Sequence, residues 1–440
     1  MPQTLSISIE YSSIALHAYA ILRKPANLAP GLLAYCAAGS HPSGGQHRRN
    51  AHACIPYIAQ ICCAKRSKST AIAQTLRHLR VRLAPPSAFP PERIMPPSHP
   101  SPLRIAVVGA GAIGCAMTAR LAHGGHAVTL VVRDSVRAAQ LQAQGLDCIE
   151  PDGTIRAHPA IVRHLPPAGF DLLVLAVKAD HLPAAVAALP DSIGPQTLVL
   201  PLVNGIPWWF RRDAQGQFQP IRAVDAQGRL AQRFAPEQIV GSVVYTTAMM
   251  DGPRVVRAAQ GQSLVLGALD GAQSARVEAL AETLRACGIK AEISPAIHDA
   301  VWTKVALNLA TNPLSVVTGA GLGDLCGDDR LVPTVSAILD EVGRVAARYD
   351  ARALLTRSAM LARGRAAGAF RTSMLEDHLK GRPLELSSIA EAVFELAGAV
   401  GLDLPVTRRV VDLARFQALR VSVPVSGDAA ASHALAACGR

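Results

Sequence analysis

Lys304, Asn308 and Asn312 recur at four-residue steps within Trp302-Thr303-Lys304-Val305-Ala306-Leu307-Asn308-Leu309-Ala310-Thr311-Asn312-Pro313. On a helix that spacing lines one ammonium and two amides along a single face. Val305, Leu307 and Leu309 fall off the stripe. Such a stripe is either a solvated face or the wall of a site. Solvated faces usually carry Glu, Arg and Gln, whereas asparagine is a poor helix former and needs a reason to be there. The wall of a polar binding site is the preferred reading.

A second constellation is Gly109-Ala110-Gly111-Ala112-Ile113-Gly114, a GxGxxG placed directly after a β-branched run and before a helical pattern. Gly109 would permit the tight turn, Gly111 the approach of backbone to a pyrophosphate, and Gly114 close packing of helix on sheet. The helix N-terminus would add N–H donors and partial positive charge. An ordinary Gly-rich turn is the bland alternative, but strand, loop, helix and second strand are all in register, and a dinucleotide is expected. An NAD site usually carries an acid about 20 residues beyond the glycines. Here Val131-Val132-Arg133 stands there, with Asp134 one place later. Arg133 suits a 2′-phosphate by charge and by its planar donor fork, so NADP(H) is favoured; the alternative leaves Arg133 solvated and Asp134 on the ribose.

Lys178 follows the run Asp171-Leu172-Leu173-Val174-Leu175-Ala176-Val177, and Asn204-Gly205 follows the next strand. Both would lie at the carboxyl edge of a parallel sheet, where ligands bind. Lys178 is a surface lysine or a cofactor contact. Asn204 is a turn residue or a hydrogen-bonding partner of ribose or carboxamide.

The elements that must position these groups follow from periodicity. Strands are expected over residues 104–108, 127–132, 171–177 and 197–202, with helices over 113–123 and 181–189 between them. That alternation means an α/β Rossmann-type doubly wound parallel sheet. Two long strands, 239–250 and 254–266, should meet at Asp251-Gly252-Pro253, followed by a helix over 272–287. Beyond about residue 296 the strand signal ends, and helices are expected over 300–311, 331–349, 353–366, 387–400 and 407–419. The layout is a dinucleotide-binding domain over residues 102–296, an all-α domain over 297–425 and a tail over 426–440. His298 and Asp299 imitate a catalytic cluster with Lys304, but His298 reads as a helix start.

Residues 1–101 read as an N-terminal extension rather than a domain. Residues 1–94 hold eleven Lys/Arg against two acids, Glu10 and Glu92, whereas residues 95–440 hold 33 basic and 30 acidic residues. The basicity therefore belongs to the extension, and the nearly neutral body gives no reason to expect nucleic acid. A cleaved presequence fits the Arg-rich, acid-poor composition; a true start at Met95 is preferred. Nine scattered cysteines without a CxxC pair argue against a disulfide framework or zinc, and fit a cytoplasmic protein. No uninterrupted apolar run reaches the ~18 residues of a membrane span.

Taken together, the GAGAIG loop, VKADH, VNG, KVALNLATNP and the late SMLEDHLKGRPLEL occur in an order that resembles the ketopantoate reductases. The match spans most of residues 103–424. The resemblance implies reduction of 2-dehydropantoate to pantoate by hydride transfer, with Lys304 as proton donor to the carbonyl oxygen. It implies Asn308, Asn312 and Ser373 as substrate ligands and Asn204 where cofactor and substrate meet. Glu385 would reach cofactor ribose or substrate hydroxyl, while Arg133 and Lys178 hold the adenosine phosphate end. Pantothenate synthesis is the implied pathway. Reduction of another 2-oxoacid, or a catalytically silent NADP-binding sensor, are the alternatives. A helical second domain often supplies a dimer surface, although no pattern specifies a homodimer. Three departures bear on the substrate, one being the turn Thr318-Gly319-Ala320-Gly321-Leu322, which lacks an asparagine that some members use on substrate. Glu385 leads into Leu386-Ser387-Ser388 rather than the family's E-I-D, and Pro207-Trp208-Trp209-Phe210 should give the Asn204 loop a bulky wall.

Overall fold

The computed structural model describes residues 102–258 and 261–422; the expectations for residues 1–101 and for the tail over 426–440 lie outside these. The apolar run Arg104–Val108 forms β1, buried from Ile105 onward. It is followed by α1 (Ala112–His123), β2 (Ala127–Val131), α2 (Ser135–Gln144), β3 (Leu146–Glu150), β4 (Gly153–Ala157) and β5 (Ala160–Val162). Then come β6 (Leu172–Leu175), the short α3 (Leu182–Ala187) and β7 (Leu198–Pro201). The main sheet runs β5-β2-β1-β6-β7 with every pair parallel. In this doubly wound order the connections diverge between β1 and β6, opening a crevice at their carboxyl ends.

The next stretch holds α4 (Arg229–Arg233), β8 (Gly241–Val244), β9 (Ala248–Met250), β10 (Val255–Ala258), β11 (Ser263–Gly267), α5 (Ser274–Ala286) and β12 (Lys290–Ile293). The turn at 251–253 is real, since β9 and β10 pair antiparallel with Met250 opposite Val256. The two long strands are not. Each splits, so that β8 and β11 pair with each other in one sheet beside β12, while β9 and β10 join β3 and β4 in another. Strand-forming residues lie on both sides of each break, and such composition indicates strand without saying which neighbour it pairs with. The short strands β3, β4 and β5 escape the sequence pattern. β3 carries two charges whose burial depends on partners in other segments. Asp147 accepts from Arg156 at 2.7 Å and Arg254 at 2.5 Å. Glu150, 6% exposed, takes Arg120 and the Gln262 amide at 3.0 Å.

The remainder is helical: α6 (Ile297–Thr318), α7 (Leu322–Gly327), α8 (Val332–Arg348), α9 (Arg357–Ala366), α10 (Ser373–Leu379), a π-type turn (Ser387–Glu391), α11 (Ala392–Ala399) and α12 (Pro405–Ser422). α6 overruns its expected end and passes through Pro313. Proline ordinarily ends a helix by removing a donor and crowding the preceding turn. Here residues 309–316 are buried, and α6 packs against α8, α10 and α12, so tertiary packing overrides the local signal. The helix stops at Gly319, whose φ of 71° is left-handed. α9 begins four residues later than expected, at a Thr356 cap that accepts from the Ala359 N–H. α12 is anchored by buried Glu341 of α8, whose carboxylate accepts from the backbone N–H groups of Val406 and Thr407 at 3.0 and 2.9 Å. An anion at a helix start also meets the positive end of its dipole.

One apolar core runs from the sheet through Trp208, Trp209 and Phe210 into Trp302 and Leu309 of α6 and Val342 of α8. The strand-rich and helical halves thus belong to one compact unit. No helix among the described residues is long and apolar enough to cross a membrane.

Candidate active site

At the end of β1 the chain enters the glycine loop. Gly109 has φ +117°, and a Cβ there would lie 2.6–2.7 Å from the backbone of Ala176 and Val177. A Cβ on Gly114 would collide with the Gly109 carbonyl, whereas one on Gly111 would meet nothing within 4 Å. Two glycines are therefore demanded by the protein itself, and the third leaves a gap open to a ligand. α1 starts without a side-chain cap, which leaves the first-turn N–H groups of Ala112, Ile113 and Gly114 available to an anion. The arrangement fits a dinucleotide pyrophosphate.

Arg133 lies exposed just past β2. Asp134, the other candidate for the adenosine ribose, caps α2 instead, its Oδ1 accepting from the Arg137 N–H at 2.7 Å. That engagement weighs against a ribose-binding role for Asp134.

Across the crevice, Lys304 reaches from α6 to the sheet edge. Its Nζ donates to Asn204 Oδ1 at 2.8 Å and to the carbonyl of Val244, the last residue of β8. Desolvation pulls the lysine pKa down to about 8, opposed by the negative charge of Glu385. Asn308 and Asn312 occupy the next two turns of α6, half-buried and buried. Among the described residues nothing hydrogen-bonds to either side-chain amide. Ser315 Oγ donates to the Asn312 carbonyl at 2.6 Å and lies 2.6 Å from Thr372 Oγ1. This contact pins the start of α10 to the Asn312 turn and brings up Ser373, which is exposed.

A strap from α10 to the π-type turn crosses the carboxyl edge of the sheet. Lys178 Nζ lies 2.6 Å from Asp377 Oδ2, and Arg382 holds the other oxygen at 2.8 Å. Glu385 Oε1 accepts from the Ala179 N–H at 3.4 Å. Burial raises the Glu385 pKa, and the Lys178 charge opposes that rise. Ser387 Oγ donates to Asp180, and the Ile206 N–H donates to the Ser388 carbonyl at 2.8 Å. Gly205, at φ +87°, has the Ser388 backbone 2.4 Å from where its Cβ would be.

The structure thus brings Lys304, Asn204, Asn308, Asn312 and Glu385 to one cleft, with Lys178 at its rim and held by Asp377. Arg133 stands apart at the end of β2. Trp208 and Trp209 are each only 1% exposed: the bulk that follows the Asn204 loop lies in the core beneath it, where Trp209 borders a small cavity shared with Val203, Gly205 and Lys304. His298 sits in the first turn of α6, 3.3 Å from the Phe210 carbonyl and with its ring 5.1 Å from that of Phe210; it has a packing role. Asp377 is visible within the SMLEDHLKGRPLEL segment but no pattern singles it out, and the Val244 carbonyl has no sequence signal.

A glycine loop on a doubly wound sheet, facing a lysine on a helical half, defines a two-domain dehydrogenase architecture. Residues 105–271 match the family model described as ketopantoate reductase PanE/ApbA, and residues 296–418 match that of its C-terminal part. A 2-dehydropantoate 2-reductase of Mesorhizobium japonicum is 32% identical over 317 residues, covering 71% of this chain and 97% of that protein. The Halobacterium salinarum protein of the same name is 28% identical and covers 71% of this chain and 98% of its own. A crystal structure of a candidate ketopantoate reductase from Ralstonia solanacearum superimposes with a TM-score of 0.67 at 32% identity, over 74% of this chain and 100% of that one. D-mandelate dehydrogenase with NADH and anilino(oxo)acetate shares the fold, with a TM-score of 0.64 at 23% identity over 72% of this chain and 99% of that one. The chain belongs to the ketopantoate reductase family and is an oxidoreductase.

Proposed function

We propose that the protein reduces 2-dehydropantoate to pantoate with NADPH, as a step of pantothenate synthesis. The observation that carries this reading is the Lys304 ammonium, held 2.8 Å from Asn204 across the cleft with its pKa lowered to about 8. A bound NADPH would supply the hydride. Residues Gly109–Gly114 would hold its pyrophosphate, Arg133 its 2′-phosphate, and Lys178, Asn204 and Glu385 the remaining polar groups at the sheet edge. Asn308, Asn312 and Ser373 would orient the substrate through its carboxylate and hydroxyl. As the carbonyl carbon is reduced, charge develops on the oxygen, and Lys304 Nζ stabilises it and then gives up a proton. General-acid assistance of this kind is worth about 10²–10⁴-fold. A pKa near neutrality suits a general acid, since the ammonium is populated yet releases its proton readily.

The test is NADPH oxidation by the purified chain with ketopantoate and a panel of other 2-oxoacids, alongside NADH. Turnover confined to ketopantoate with NADPH supports the whole reading. Turnover of another oxoacid moves the substrate. NADPH binding without any turnover replaces the enzyme by a silent binder.

A further inference from the structure

Tyr245 follows directly on Val244, whose carbonyl accepts from Lys304 Nζ. Its ring centroid lies 5.6 Å from that ammonium, and its backbone is fixed by an N–H bond to the Ser263 carbonyl at 2.9 Å. The side chain is 36% exposed, so the ring is packed on one part and open on the other. Its hydroxyl finds no hydrogen-bond partner among the described residues. A large aromatic side chain left open beside a desolvated ammonium is placed to meet whatever the ammonium binds.

The distances are restrictive. An oxygen bonded to Nζ lies about 2.8 Å from it, and the carbonyl carbon about 1.2 Å beyond. Asn204 occupies a second direction about Nζ and Val244 a third. A substituent of the reacting carbon that turns to the β8 side therefore comes within van der Waals reach of the Tyr245 ring. We propose that Tyr245 contacts the carbon substituent next to the reacting carbonyl and so selects among 2-oxoacids, admitting a compact branched chain and excluding an aryl group. This inference rests on Lys304 being the proton donor to a 2-oxoacid. One missing or added apolar group in such a wall is worth roughly 10–200-fold in specificity.

The experiment compares the full chain with its Tyr245→Ala variant in NADPH oxidation, using ketopantoate, phenylglyoxylate and pyruvate. Removing the ring should lower kcat/KM for ketopantoate by about tenfold and raise it for phenylglyoxylate by about tenfold. Pyruvate, whose single methyl offers the ring the least contact surface, should change least of the three. If all three change by a common factor, or none changes, the proposal is overturned. Should the Ala variant fail to fold, Tyr245→Leu keeps apolar bulk at the strand end and is judged on the same ratios. A wild-type chain that reduces no 2-oxoacid would overturn the underlying reading and this one with it, an outcome distinct from an active enzyme with unmoved ratios.

Discussion

The two ends of the cleft are built by opposite means. At the cofactor end the protein works by omission: Gly109 and Gly114 lack side chains because backbone occupies the space, and Gly111 leaves a gap. At the reacting end it works by convergence. Lys304, Asn204, Val244 and Glu385 come from four separate segments, and the first two are 100 residues apart. The first end depends on backbone geometry within the sheet, the loop after β1 lying against the backbone at the end of β6. The second exists only once sheet and helical half have packed, so its chemistry is tied to the integrity of that junction.

That contrast can be tested by substitution at each end. Lys304→Ala should lower kcat by about 10²–10⁴-fold while NADPH titration shows nearly unchanged binding; full turnover by this variant would refute the mechanism. In the wild type, turnover should fall as pH rises through about 8, because the ammonium is the donor and is lost above its pKa. Gly109→Ala should do the reverse of Lys304→Ala. It forces a side chain into a left-handed position against backbone, costing on the order of 1–3 kcal/mol in chemical denaturation and weakening NADPH. Arg133→Ala should weaken NADPH by about tenfold, roughly one charge-assisted hydrogen bond, and spare NADH. Equal losses for both cofactors would remove the assignment. Glu385→Gln should have the smallest effect. It removes a charge that raises the lysine pKa, so the high-pH loss of activity should begin at lower pH. A shift in the other direction would mean that Glu385 does not act on Lys304 through its charge.

The same contrast explains what is legible in the sequence. The glycine loop is contiguous, and its spacing alone places the turn, the gap and the helix start. The Lys304, Asn308, Asn312 stripe is legible because helical periodicity converts spacing into a shared face. The Val244 carbonyl and the Lys178–Asp377 pair are not, since each is a meeting of segments that no local pattern relates. The expectation of two long strands after residue 239 fails for a related reason: β-branched and apolar composition reports strand and is blind to which neighbour supplies the hydrogen bonds. Pro313 misleads in the opposite sense, a strong local signal overridden by burial on several sides.

All three tryptophans of the chain, Trp208, Trp209 and Trp302, sit in the shared core where the sheet meets α6. Trp209 lies 6.0 Å from His298, and Trp302 lies 5.6 Å from Phe210. The tryptophan fluorescence of the protein, excited apart from its six tyrosines, is therefore a report from one place. Its emission registers whether the two halves are seated on each other, and is nearly silent about the distal sheet. Because the reduced nicotinamide ring absorbs where tryptophan emits, the same cluster gives the molecule a built-in optical gauge of an occupied cleft.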